Sequence, residues 1–160
     1  RNISVSEMRA TSRAALPLLG GGRFHFIYID GGHSYDDARF DITECHRLLA
    51  AGGIMCGDDL ELQAHQCDME FLAASKGADY ITDAEDRGLH PGVTLAVHEF
   101  FGTVSVFDGF WAMRKCSGGG YEPVDFQGAT GILPGHWPEE FQAQARACVT
   151  ESQSLGVLMA

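Results

Sequence analysis

The sequence predicts an α/β fold built on a parallel βαβ unit, and three observations carry that prediction. Phe24-His25-Phe26-Ile27-Tyr28-Ile29 is a nearly continuous aromatic and β-branched run that stops at Asp30-Gly31-Gly32. A run of this kind suits a parallel-type strand buried on both faces. Next, Ala38, Ile42, Cys45, Leu48 and Leu49 recur at helical spacing, which marks one apolar helix face. Last, Gly52-Gly53 is followed by a second short apolar run, 54–57, that ends at Asp58-Asp59. Strand, helix, Gly-Gly, strand is a βαβ pattern, and its crossover should be right-handed.

The remaining elements follow in order. Residues 3–8 alternate apolar and polar, a strand signal. Thr11-Ser12-Arg13 suits the cap of a short helix over 14–19, stopped by Gly20-Gly21-Gly22. Ser34 suits the N-cap of the long helix, with Asp36 and Asp37 in its first turn, where the helix dipole favours negative charge. Gly52-Gly53 is expected to end that helix. A helix over part of 62–74 and a polar loop over 76–87 come next. Pro91 opens a helix over 92–101, and Gly102 closes it. Residues 103–107 and 110–115 read as two strands joined by Asp108-Gly109, a strong hairpin signal. Residues 117–120 are a loop and 121–137 read as irregular. Pro138-Glu139-Glu140 suits the start of a last helix running to about residue 152.

Length and composition narrow the function. The chain has 160 residues, a formal net charge of −11 and 45% apolar residues, the profile of one folded domain. A pI of about 4.9 and no Lys/Arg cluster argue against a nucleic-acid or membrane-surface partner. No apolar run nears the ~18–20 residues needed to span a bilayer. Cys45, Cys56, Cys67, Cys116 and Cys148 are scattered, with no C-x-x-C pair. They read as reduced thiols of a cytoplasmic protein. The chain opens on Arg1 inside a strand-like stretch and reads as a piece of a longer protein or a trimmed one.

In an open parallel sheet, ligands sit beyond the carboxyl ends of the strands. Asp30 ends the first strand there, and Asp58 and Asp59 end the second. Neighbouring strands lie ~4.8 Å apart, so the three carboxylates can converge on one crevice. Such a set repels itself unless a proton or a hard cation such as Mg²⁺ is present. The same residues also read as solvated turn residues. His33, at the mouth of the helix, suits a general base or metal ligand, or a turn histidine bonded to local backbone. His25 reads as a core or sheet-face residue, and His46 and His65 as helix-surface residues. His90 sits in a loop before Pro91 and reads as structural rather than ligand-facing. No G-x-G-x-x-G and no Walker A sequence is present. No two-His-one-carboxylate set and no G-x-S-x-G elbow stands out, which argues against a hydrolase or oxygenase.

The run from Phe24 to Tyr35, with Leu48-Leu49, Gly52-Gly53 and Asp58-Asp59, resembles class I S-adenosylmethionine-dependent methyltransferases of the DG-x-HSY type. Thr11-Ser12-Arg13-Ala14-Ala15-Leu16, His90-Pro91-Gly92-Val93 and Asp108-Gly109 extend the resemblance over about residues 1–116. Residues 117–160 are an extension with a terminal helix. The resemblance implies a Rossmann-like methyltransferase sheet in the order 3-2-1-4-5-7-6. On that map the chain carries strand three (3–9), strand four (Phe24–Ile29), strand five (54–57) and the last hairpin. Strands one and two, with their glycine-rich cofactor loop and ribose-binding acid, are missing from it.

The resemblance also implies site residues. Ser12, Asp30 and Gly31 would bind S-adenosylmethionine. Asp30, Asp58 and Asp59 would hold Mg²⁺, and His33 and Asp30 would be catalytic. Many relatives have Asp-Gly-Asp where this chain has Asp30-Gly31-Gly32. The implied activity is methylation of a small molecule, most simply at oxygen, with this chain an incomplete and inactive fragment. The expected partners are a small-molecule methyl acceptor and, in a homo-oligomer, a second copy. The competing expectation is a non-catalytic remnant that serves as a binding or assembly module, because an unpaired sheet edge seeks a partner.

Overall fold

A computed structural model describes residues 4–125, 138–140 and 142–143. The chain divides into two compact units, Arg1–Asp125 and Phe126–Ala160. In the second unit, 139–140 and 142–143 are helical, and the Gln142 amide donates to the Pro138 carbonyl at 3.1 Å. The rest of the helix expected to residue 152 lies outside the described residues.

The first unit is α/β. Its sheet contains β1 (Phe24–Ile29), β2 (Leu49–Leu60), β5 (Ser105–Phe107), β6 (Gly109–Lys115) and β7 (Tyr121–Pro123), in the order β1-β2-β6-β5. β1 and β2 are parallel, whereas β6 runs antiparallel to β2, β5 and β7. β7 pairs with the second half of β6, so residues 121–123 are strand and not part of an irregular tail. Helix α2 (Tyr35–Leu48) connects β1 to β2, and α4 (Pro91–Phe101) packs beside it.

Local chemistry explains these elements. Ser34 caps α2, accepting the Asp37 amide at 3.3 Å, with Asp36 and Asp37 in the first turn. Ala38, Ile42, Cys45 and Leu48 are buried, as their spacing predicts. Pro91 occupies the first turn of α4, where a missing N–H costs nothing, and Gly102 ends it at φ +75°. Asp108 and Gly109 both have positive φ, 49° and 83°. That is the type I′ geometry whose twist suits a two-residue hairpin. Met55, Trp111 and Met113 of the sheet close a core with Ile42 and Cys45 of α2 and Ala96 and Val97 of α4. A smaller apolar cluster, Ala64, Leu72 and Leu89, sits under α3 (Met69–Ser75) and the short pair β3 (Ile81–Thr82) and β4 (Gly88–Leu89).

Four further expectations differ from the structure. Residues 4–9 are exposed and form no strand. Backbone N–H and C=O groups need a neighbouring strand to become a sheet, and among the described residues none lies beside them. β1 is an edge strand and not a doubly buried one: Phe26 is 62% exposed and Tyr28 46%. Gly52-Gly53 does not end α2, which already stops at Leu48. The glycines lie in a bulge of β2, where pairing jumps from Phe24↔Leu49 to Phe26↔Ile54 and Gly52 takes φ +77°. His46 is no simple surface residue. Its Nδ1 lies 3.0 Å from the Tyr121 hydroxyl, its ring packs on Phe100, and burial followed by the nearby Lys115 charge lowers its pKa. The short helix expected over 14–19 is present as α1 (Ser12–Ala15) followed by a 3-10 turn, Leu16–Leu18.

Candidate functional site

The carboxyl ends of β1 and β2 open onto one cleft lined by Asp30, Gly31, Gly32, His33, Asp58 and Asp59, with Trp111 and Val97 at its base. All the acids singled out in the sequence therefore reach one place. The free space is about 20 Å³, enough for a water, an ion or one projecting group of a ligand. Gly32 also lines a second, shallower depression of about 410 Å³, formed with Ala10, Thr11, Ser12, Arg13, Asp37, Phe40 and Asp41. That volume falls in the range of small-molecule sites.

Ser12 lies in this second depression and donates through its hydroxyl to Asp41 Oδ2 at 3.2 Å. Asp41 is buried, and desolvation raises its pKa. A Cβ at position 31 would stand 2.6 Å from Asp41 Oδ2, so the Asp41 carboxylate would have to shift to admit one. Arg13 ties α1 to the mouth of α2 through Asp37 Oδ1 at 3.2 Å.

His33 is held from both sides. Its Nδ1 lies 2.7 Å from Asp79 Oδ1 and its Nε2 3.1 Å from Asp59 Oδ2. The His33 and His90 rings meet edge to face at 4.5 Å. His90 Nδ1 lies 2.9 Å from Glu61 Oε1 and 3.8 Å from Asp59 Oδ1, and its backbone amide donates to Glu61 Oε2 at 3.2 Å. Asp59 adopts φ +64°, an uncommon value for a residue with a Cβ. Gly92 sets the approach of α4: a Cβ there would fall 2.3 Å from the His33 carbonyl oxygen and 2.4 Å from the Tyr35 amide nitrogen. Only glycine lets the start of α4, and so His90, sit this close to the mouth of α2.

The ligand-distance group among the described residues is thus His33, Asp59 and His90, whose donor atoms lie within 4.8 Å of one another. Asp30 and Asp58 stand outside it, and Asp58 Oδ2 accepts the Tyr28 hydroxyl at 3.1 Å. Of the three carboxylates expected to hold Mg²⁺, all line the cleft and Asp59 alone belongs to this group. A two-His-one-carboxylate set, which the sequence did not reveal, is assembled instead. His90, read as structural, belongs to it, and Asp79 and Glu61 were not singled out at all. Their signal is three-dimensional, because nothing in the spacing of 33, 59, 61, 79 and 90 marks them as neighbours.

Residues 3–60 match the family model of a methyltransferase domain. This methyltransferase-like segment spans more than a third of the chain. It contains Ser12, Asp30, Gly31, His33, Asp58 and Asp59 and stops short of Asp79 and His90. No curated protein and no solved structure matches the chain. No helix among the described residues is long and apolar enough to cross a membrane.

Proposed function

We propose that the cleft at the ends of β1 and β2 belongs to an S-adenosylmethionine-dependent methyltransferase that methylates a hydroxyl of a small molecule. The observation that carries this reading is the coincidence of the methyltransferase-like segment with a cleft holding an oriented histidine. The strand order β1-β2-β6-β5 supports it, because it reads as the fourth, fifth, seventh and sixth strands of such a sheet. The cofactor's adenosine end would lie along the depression at Ser12, and Gly31 and Asp30 would approach it at the end of β1.

The chemistry is proton removal followed by in-line displacement. Asp79 holds Nδ1–H of His33 and directs Nε2 into the cleft, where it takes the hydroxyl proton. Asp30 is the second group placed to do so. The freed oxygen forms a bond to the methyl carbon as the carbon–sulfur bond breaks, leaving the neutral thioether. Little else is asked of the protein than orientation and charge balance.

The test is an NMR titration of the chain with S-adenosylhomocysteine, which detects weak binding. Amide shifts concentrated at Ser12, Asp30, Gly31 and Gly32 are expected. Shifts elsewhere, or none at saturating ligand, would sink the reading.

One observation favours a second reading as an assembly module. Among the described residues no strand pairs with the outer edge of β1, where Phe24, Phe26 and Tyr28 are exposed, and such an edge accepts a further strand. A dimer in light scattering that Phe26→Lys abolishes would favour it, and a monomer at all concentrations would remove it.

A further inference from the structure

We propose that His33, Asp59 and His90 form a binding site for one borderline-soft divalent transition metal of the Zn²⁺ or Co²⁺ class. The inference does not depend on methyl transfer.

The argument begins with His33. A neutral imidazole carries one N–H. The shorter contact, at 2.7 Å, places that proton on Nδ1 facing Asp79. Nε2 then points a lone pair at a carboxylate oxygen 3.1 Å away. Two acceptors at that distance repel unless something positive lies between them. A proton does this for one pair, whereas a metal ion does it for all three donors together. Zn–N and Zn–O bonds of ~2.0–2.1 Å put neighbouring tetrahedral ligands ~3.3–3.4 Å apart. The His33 Nε2 to Asp59 Oδ2 separation of 3.1 Å is close to that value, and the donor atoms of the three residues lie within 4.8 Å of one another.

The surroundings fit as well. A carboxylate on the far nitrogen of a ligating histidine fixes its tautomer and raises its basicity, and Asp79 stands in that position for His33. Glu61 Oε1 faces His90 Nδ1 itself at 2.9 Å and so adds a carboxylate oxygen on the same side as Asp59, while its other oxygen accepts the His90 amide. Asp30, Asp58, Asp59, Glu61 and Asp79 crowd the two histidines, and among the described residues none of these five is ion-paired with Lys or Arg. Imidazole nitrogens favour Zn²⁺, Co²⁺ or Ni²⁺ over Mg²⁺. Three protein donors leave a coordination position open. With a cation seated, Nε2 of His33 is a ligand and Asp30 is left as the base.

The experiment titrates the full chain with Zn²⁺, Co²⁺ and Mg²⁺ separately, by calorimetry and by the visible spectrum of Co²⁺. The expectation is one equivalent of Zn²⁺, Mg²⁺ at least ~100-fold weaker, and cobalt d–d bands without thiolate charge transfer. Asp79→Asn should weaken Zn²⁺ ~10–100-fold, and His90→Gln should weaken it at least as much. A thiolate band, equal affinity for Mg²⁺, or unchanged affinity in His90→Gln would overturn the proposal. Should a variant fail to fold, the wild-type chain still decides. Zn²⁺ should shift the ring nitrogens of His33 and His90 and leave those of His25, His65 and His98 in place; the reverse pattern overturns the site.

Discussion

The two flanks of the sheet differ sharply in how their apolar residues are used. On the β2–β6 side, Met55, Trp111 and Met113 are at most 3% exposed under α2 and α4, and Cys56 and Ala112 of the opposite face are equally buried. On the β1 side, Phe24, Phe26 and Tyr28 belong to an equally apolar run and face outward. The difference teaches that an apolar strand reports what it is suited to pack against, not what covers it. β2 has β1 on one side and β6 on the other. β1 has β2 alone among the described residues, so half of its ladder and most of its side chains stay open. The candidate cleft lies on the boundary between these flanks, with Asp30 at the end of the open strand and Asp59 at the end of the covered one.

The largest expected effect separates the flanks directly. Trp111→Ala should destabilise the fold by about 3–5 kcal/mol in urea unfolding, as for other buried aromatics. Phe26→Ser should change it by under ~1 kcal/mol. Equal losses would mean that β1 is covered in solution. Gly92→Ala comes next, at about 1–3 kcal/mol, because its Cβ would overlap the His33 and Tyr35 backbone. It should also part the His33 and His90 rings, visible as altered histidine NMR signals; unchanged signals would remove Gly92 as the device that sets the cleft.

Two smaller effects sharpen the comparison. Burial pushes the Cys45 thiol up to about 12 and Cys56 up to about 11. Peptide mapping after iodoacetamide treatment of the native chain should therefore find both unmodified and Cys116 alkylated. Rapid labelling of Cys45 would show that the covered flank opens easily. The smallest effect concerns His46. Its folded pKa is depressed, first by burial and then by Lys115, so its neutral form is the one the fold accepts. That contribution is fully present above the unfolded value of ~6.5 and is lost as pH falls through the folded one. Melting temperature should decline slightly between about pH 8 and 5, and His46→Phe should flatten the decline. An unchanged slope would place the acid sensitivity elsewhere.

Much of the fold was legible in the chain. The start of α2 with its Ser34 cap, the span of α4 and the Asp108-Gly109 turn all follow from local chemistry that spacing reveals. The burial of β1 and the strand expected at 3–9 depended on neighbours, which spacing cannot supply. The site divides the same way. Asp30, His33, Asp58 and Asp59 announce themselves at strand and helix ends. His90, Glu61 and Asp79 come from segments whose meeting is decided by packing, above all by the bare backbone of Gly92 against residues 33–35.

A cleft that serves a methyltransferase must accept the demethylated cofactor. The measurement that tests it most directly is the titration of ¹⁵N-labelled chain with S-adenosylhomocysteine, followed at the amides of Ser12, Asp30, Gly31 and Gly32. The account predicts saturable shifts at these positions and weaker ones at His33. Saturation without shifts there, or no response at all, would contradict it.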